Sequence, residues 1–318
     1  MTQVCRICAT GNGHQTFRFR ERMFGWGDEF GYFLCRQCGC LQIEQVPADL
    51  GRFYPPHYYS FHLQPVPQRG LKSWLAAKRD FSSASGIGLL GRLLALRVPA
   101  RTEVACLGQV PLRREMRILD VGCGRGQLLS ILHRAGFRHL LGVDPYLSAE
   151  VQVADGVRVL NCPVQSVEGQ FDCIMLHHVF EHLENGLEML IRCRERLAPG
   201  GKLLLRFPTV ECDAWERYGE HWVALDAPRH LLLPTRRSLE ILVPQAGLRM
   251  VECWCDSTAF QFVGSELYLQ GLPLADAQGR PTPITDHFTA KQLKHFERQA
   301  QSLNASNRGD QLAVLLEV

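Results

Sequence analysis

Apolar residues change their rhythm along this chain. From about residue 117, short apolar runs alternate with stretches whose apolar positions recur every three or four residues. Short runs bounded by glycines and acids read as strands, and the 3.6-residue period reads as helix. The pattern predicts strands over 118–121, 140–143, 157–160, 173–176, 202–207, 248–255 and 312–317. It predicts helices over 127–135, 187–197 and 238–246, with another near 290–300, and Pro244 is expected to shorten or kink the third. Such alternation implies an α/β fold on a parallel sheet with helices on both faces. Upstream, 71–100 reads as helix in pieces, weakened at Gly86, Gly88 and Gly91. Residues 47–70, which include Phe53-Tyr54-Pro55-Pro56-His57-Tyr58-Tyr59-Ser60, read as an irregular connector. The chain divides at this level into a head (1–46), a connector with helical pieces (47–115) and an α/β domain (116–318).

The head follows neither period because cysteine organises it. Cys5-Arg-Ile-Cys8 and Cys35-Arg-Gln-Cys38-Gly39 are two C-x2-C knuckles. Four thiolates brought together this way suit one tetrahedral Zn²⁺, and a closed four-sulfur site has a structural role. The insert between the knuckles is rich in aromatics, from Phe17 to Phe33, and is expected to form a hairpin on the metal site. Cys40 and His14 stand as spare ligands and are left out.

The other eight of the thirteen cysteines are scattered, mostly in apolar stretches. They behave as small buried hydrophobes, which points to a reducing, cytoplasmic setting. No 18-residue apolar run is present, so no membrane span is expected, and the N-terminus lacks the apolar core of a secretion signal. The formal charge of +3 hides a gradient: residues 71–117 hold nine Lys/Arg against three Asp/Glu, whereas 118–318 hold 19 against 24. The basic stretch is read as a solvated helical face, and the acidic balance downstream argues against a nucleic-acid partner.

Candidate chemistry concentrates after the first predicted strand. Asp120-Val-Gly122-Cys123-Gly124-Arg-Gly126 can bring main chain close to a ligand at the positive end of a helix. Asp144 ends the second strand, where a ribose-binding carboxylate sits in doubly wound nucleotide folds. The spacing departs from the dinucleotide fingerprint G-x-G-x-x-G, which disfavours a nicotinamide oxidoreductase.

With ILDVGCGRG (118–126), GVDP (142–145), FDCIMLHHVFEHL (171–183) and LAPGGKLLLRFP (197–208) in order, the sequence resembles the class I S-adenosylmethionine-dependent methyltransferases. The resemblance implies a seven-stranded Rossmann-like sheet whose last strand is antiparallel. It places Gly122, Cys123, Gly124 and Gly126 under the methionine part, Asp120 near its ammonium and Asp144 on the ribose. It further implies cofactor contacts from Val164, in the segment after the third strand, and from His177 at the end of the fourth. More narrowly, the cysteine head, Tyr58-Tyr59-Ser60 and the W-x5-H-W…D-x-P-R-H stretch (215–230) resemble methyltransferases of bacterial polysaccharide or glycosylated-metabolite pathways.

These readings favour O-methylation of a small-molecule acceptor, sugar-linked or a glycosylated metabolite. An RNA methyltransferase with a zinc head, or a non-catalytic S-adenosylmethionine-binding protein, is the alternative. Hydroxyl acceptors gain from a base, and histidine titrates near neutrality. His230, which Asp226 could orient, is the expected base, and His221 is expected to shape the acceptor pocket. Trp215 and Trp222 divide evenly between acceptor stacking and packing, and Arg229 is expected to pair with Asp226.

Overall fold

A computed structural model describes all residues except 1, 2, 56, 57, 59–63 and 65. Tyr59 and Ser60 of the connector motif therefore lie outside the described residues, as do Pro56 and His57. The strands are β1 (Gln15–Arg20), β2 (Glu29–Leu34), β3 (Leu41–Ile43), β4 (Ile118–Val121), β5 (Leu140–Val143), β6 (Val151–Ala154), β7 (Val157–Leu160), β8 (Phe171–His177), β9 (Leu197–Pro208), β10 (Leu232–Leu233), β11 (Arg249–Cys255) and β12 (Gln311–Glu317). Helices that matter below are α1 (Leu71–Ser85), α2 (Leu89–Arg97), α3 (Gln127–Ala135), α4 (Gly186–Arg196), α5 (Asp213–Tyr218), α6 (Arg236–Gln245), α7 (Phe260–Leu269) and α8 (Ala290–Ala305).

The main sheet is mostly parallel, in the order β11-β12-β9-β8-β4-β5-β7-β6, with β12 inserted antiparallel between β9 and β11. The α/β class and the antiparallel last strand match the expectation. The sheet has one more strand than the seven expected, because β6 and β7 form an antiparallel hairpin. Its turn is Asp155-Gly156, a residue pair that favours tight hairpins, with Gly156 at a φ of +70°. Strand β9 begins five residues earlier than predicted, and α6 accommodates Pro244 in its last turn without ending there. Helix α7 is missed by the sequence pattern because it is apolar nearly all round and buried, so it shows no helical alternation.

The head builds a second sheet, β1-β2-β3-β10. The predicted hairpin is present: β1 pairs with β2 from Gln15↔Leu34 to Arg20↔Glu29. Phe17 and Phe19 face inward and meet Trp215 of α5 edge-on, at ring separations of 5.8 and 6.0 Å. The fourth strand comes from the α/β half, Leu232 and Leu233 pairing with Gln42 and Leu41. Arg6 reinforces this seam by donating to the carbonyls of Ile43 and Leu231.

Helices α1 and α2 form an antiparallel-type pair against the body, α1 through Asp80, whose buried carboxylate accepts from Arg134 at 2.6 Å and Arg79 at 2.7 Å. Their outer surface exposes Leu89, Leu93 and Leu96 among arginines and lysines. The two helices touch most closely at Gly91, where a Cβ would stand 2.2 Å from the Lys78 carbonyl oxygen. Gly91→Val should therefore force the pair apart and lower stability by about 1–3 kcal/mol. Thermal or urea unfolding measures this, and an unchanged midpoint would show that the contact is not tight.

Candidate active site

The carboxyl ends of β4, β5, β8 and β9 converge on one edge of the main sheet, where open α/β folds place their ligands. The β4–α3 loop turns through positive φ at Gly122 (69°), Gly124 (53°) and Gly126 (82°). At Gly122 a side chain is also barred by space, since a Cβ would lie 2.5 Å from Val179. Asp144, at the end of β5, fastens the loop: one carboxylate oxygen accepts from Gly124 N at 2.8 Å and the other from Tyr146 N at 2.9 Å. Cys123 packs over β5, so a Cβ at Gly142 would meet its sulfur at 2.5 Å.

Asp120 is 3% exposed and accepts no hydrogen bond among the described residues. Burial, and then the nearby Asp144 carboxylate, push its carboxyl well above the ordinary range. His177 is similar: neither ring nitrogen has a partner, and burial followed by Arg206 pushes the imidazole down to about 3. Val164, in contrast, is 2% exposed and packs in the core with Val143 and Leu119. Its side chain is apolar and core-facing, so only main chain is available there, and the exposed polar neighbours are Asn161 and Gln165.

A second set of groups lies beside this loop, after β8 and before β10. His178 adopts a φ of +55° and Asp226 one of +36°. Both are uncommon for residues with a Cβ, and such conformations gather at functional sites. Arg206 on β9 holds Asp256 at 2.5 Å and donates to His178 Nε2 at 2.6 Å. His178 Nδ1 in turn meets Glu181 Oε1 at 3.2 Å. Burial alone would raise the Glu181 carboxyl, but that hydrogen bond and the imidazoles of His182 and His178 outweigh it and bring it down to about 2. Leu231 N donates to the Glu181 carbonyl at 2.8 Å, which draws His230 alongside. The rings of His182 and His230 stand edge to face, 4.9 Å apart. Burial, and next the His182 ring, push His230 down to about 4.

The expected relay from Asp226 to His230 is not what orients the ring. Arg229 occupies both Asp226 oxygens, so His230 Nδ1 bonds the Ala224 carbonyl at 2.7 Å instead. His221 stands apart, with Arg22 and Glu220 as its charged neighbours, and no hydrogen bond or ring contact joins it to His182 or His230 among the described residues. Trp222 is fully buried and donates to Asp310, and Trp215 packs on the head, so both serve packing. Sequence reading passed over the ligating potential of Glu181 and His182. The signal available was their adjacency to a histidine pair at a strand end.

Residues 96–253 match a family model described as a methyltransferase domain. The chain carries a class I methyltransferase domain. The buried, unpaired Asp120 carboxyl is suited to a cation such as the ammonium of S-adenosylmethionine, and the glycine loop fastened by Asp144 gives main-chain room beside it, so the residues fit that donor. A tRNA U34 carboxymethyltransferase of Pseudomonas fluorescens (strain Pf-5) is 30% identical over 155 residues, 43% of this chain and 46% of that protein. The enzyme of that name from Pseudoalteromonas translucida is 22% identical over 201 residues, 55% of this chain and 61% of its own length. The chain thus spans about half the length of the first of these relatives. Among solved structures, coclaurine N-methyltransferase bound to N-methylheliamine and SAH aligns over 86% of this chain and 84% of its own at 14% identity and a TM-score of 0.44. The relatives' names overturn two expectations for this methyltransferase domain, the preference for a sugar-linked small-molecule acceptor and the reading against a nucleic-acid partner, and they fit the alternative of an RNA methyltransferase better. The acidic balance of 118–318 misled because it averages over a domain, while the basic charge lies just upstream in 71–117.

The segment that carries His230 hangs on Arg229, which is fully buried and also reaches Glu21 of the head at 2.8 Å. Arg229→Met should strand two buried carboxylates and destabilise the protein by about 3–5 kcal/mol. Chemical denaturation checks this, and a loss below about 1 kcal/mol would mean that water already relieves the pair.

Proposed function

We propose that this chain transfers an alkyl group, methyl in the simplest case, from S-adenosylmethionine to RNA, with tRNA as the acceptor class. The sequence match to enzymes named as tRNA U34 carboxymethyltransferases carries this reading. The excess of positive charge in 71–117, borne partly by the exposed face of α1 and α2, supports it, since RNA binding needs a basic footprint. When bound, S-adenosylmethionine supplies an activated carbon on a sulfonium. Asp120 would balance its positive charge, and Asp144, whose oxygens each keep a lone pair beyond the two amides they hold, would receive the ribose hydroxyls. Gly122, Cys123, Gly124 and Gly126 would give it main-chain room, with His177 and the main chain at Val164 along the rim. Alignment of the acceptor then supplies much of the rate, because the donor is already activated. Glu181, His182 and His230 form the polar wall on the acceptor side.

The head is proposed to hold one structural Zn²⁺ on Cys5, Cys8, Cys35 and Cys38. Their sulfurs all lie within 4.8 Å of one another, with Cys5–Cys38 and Cys8–Cys35 each at 3.5 Å. Four thiolates at zinc bond length stand about 3.8 Å apart in a tetrahedron. Gln42 donates to the Cys5 sulfur at 2.9 Å, as an outer-shell donor would. No disulfide joins any of the thirteen cysteines, which is compatible with work in a reducing cytoplasm.

Methyl-labelled S-adenosylmethionine mixed with the protein and total tRNA should place label in the RNA, the more so at low salt. Asp144→Ala should weaken donor binding at least ~10-fold in calorimetry. Label entering small sugars and never RNA would refute the acceptor class. Metal analysis should give about one zinc per chain, lost in Cys35→Ser together with stability of the head. A metal-free, fully folded native protein would rule the zinc site out.

A further inference from the structure

Separate from the cysteine head, one nitrogen each of His182 and His230 and one Glu181 oxygen lie within 4.8 Å of one another. Three further observations give this trio the character of a ligand set. The first is an unsatisfied acceptor: Glu181 is 0% exposed, its Oε1 is taken by His178, and its Oε2 has no partner among the described residues. Native proteins rarely leave a buried carboxylate oxygen unpaired. The second is the tautomer of both rings. His182 Nδ1 bonds the Arg229 carbonyl at 2.8 Å and His230 Nδ1 bonds the Ala224 carbonyl at 2.7 Å. Carbonyls only accept, so Nδ1 donates in each ring and Nε2 of the neutral ring carries the lone pair; the Tyr54 hydroxyl, 3.1 Å from His182 Nδ1, shares that nitrogen. This is how metal-binding histidines are held, with the other nitrogen donating to a main-chain or carboxylate oxygen. The third is a supporting chain behind the carboxylate, Asp256 to Arg206 to His178 to Glu181, which fixes the side chain that would carry the charge.

We propose that Glu181, His182 and His230 bind a divalent transition-metal cation at the acceptor side of the sheet edge. Two imidazoles and one carboxylate suit Zn²⁺, Co²⁺ or Mn²⁺ and leave positions open for an acceptor oxygen. An ion centred among three atoms 4.8 Å apart stands about 2.8 Å from each, so each atom moves in by roughly 0.6 Å to reach a bond of 2.0–2.2 Å. His182 is only partly buried, and a small rotation of its ring supplies part of that movement. His230 then acts through the ion, not as a free base. Binding of the ion rests on this geometry alone and is independent of the acceptor being RNA.

The test titrates Co²⁺ into the full-length protein with zinc retained in the head. One Co²⁺ per chain should bind with visible d–d bands and without the near-ultraviolet charge-transfer bands of a thiolate site. His182→Gln and His230→Gln should each weaken that binding at least ~10-fold, as should Glu181→Gln, with circular dichroism unchanged. Absence of Co²⁺ binding to the wild-type protein at millimolar metal overturns the proposal without recourse to any variant. So does binding that persists unchanged in folded His182→Gln and His230→Gln, or that shows only thiolate bands. Donor binding measured on the same samples is expected either way, so loss of the ion site and loss of the transferase reading remain distinguishable.

Discussion

One buried guanidinium ties the head of this molecule to its α/β half. Arg229 lies between Glu21 of the head and Asp226 of the α/β half, and it also donates to the Phe53 carbonyl. Glu21 is itself committed to the amides of Phe24 and Trp26 in the β1–β2 turn. Three stretches distant in sequence thus meet at a single fully buried cation. Buried ion pairs add little net stability over an apolar core, but they tolerate few alternative arrangements. Here that intolerance sets the backbone of 226–230, and with it the place of His230.

The shape of the glycine loop and the places of its acids were legible from sequence because their requirements are local. Gly122, Gly124 and Gly126 need positive φ, Asp120 and Asp144 sit at strand ends, and spacing along the chain places each of them. The acceptor side was legible only in outline. His230 and Glu181 are 49 positions apart in sequence and are joined by a main-chain hydrogen bond from Leu231, which no periodicity encodes. Asp226 looked like an orienting acid for His230 until Arg229, three residues on, proved to hold both its oxygens. The basic excess in 71–117 was visible in the sequence, but charge counts alone do not tell a solvated helical face from a binding surface.

The head does more than hold its own cysteines. Thr235 donates to the Cys38 carbonyl and Tyr32 to the carbonyl of His230 at 2.8 Å, so the second knuckle and the β2 core both touch the segment that carries the acceptor-side imidazole. The edge-on packing of Phe17 and Phe19 against Trp215 extends that contact to α5. A cysteine-rich module placed here stiffens one wall of the sheet edge from outside the main sheet, which fits a role in shape and not in chemistry.

The strand that completes the head's sheet also fixes an order of events. β10 follows β3 by about 190 residues, so as the chain is synthesised the first module is made long before its last strand exists. Until Leu232 and Leu233 arrive, β3 presents an open edge carrying Leu41 and Ile43, residues that are wholly buried in the finished protein. A nascent chain in that interval depends on whatever covers this edge, and the head becomes a closed structure only when the catalytic half is nearly complete.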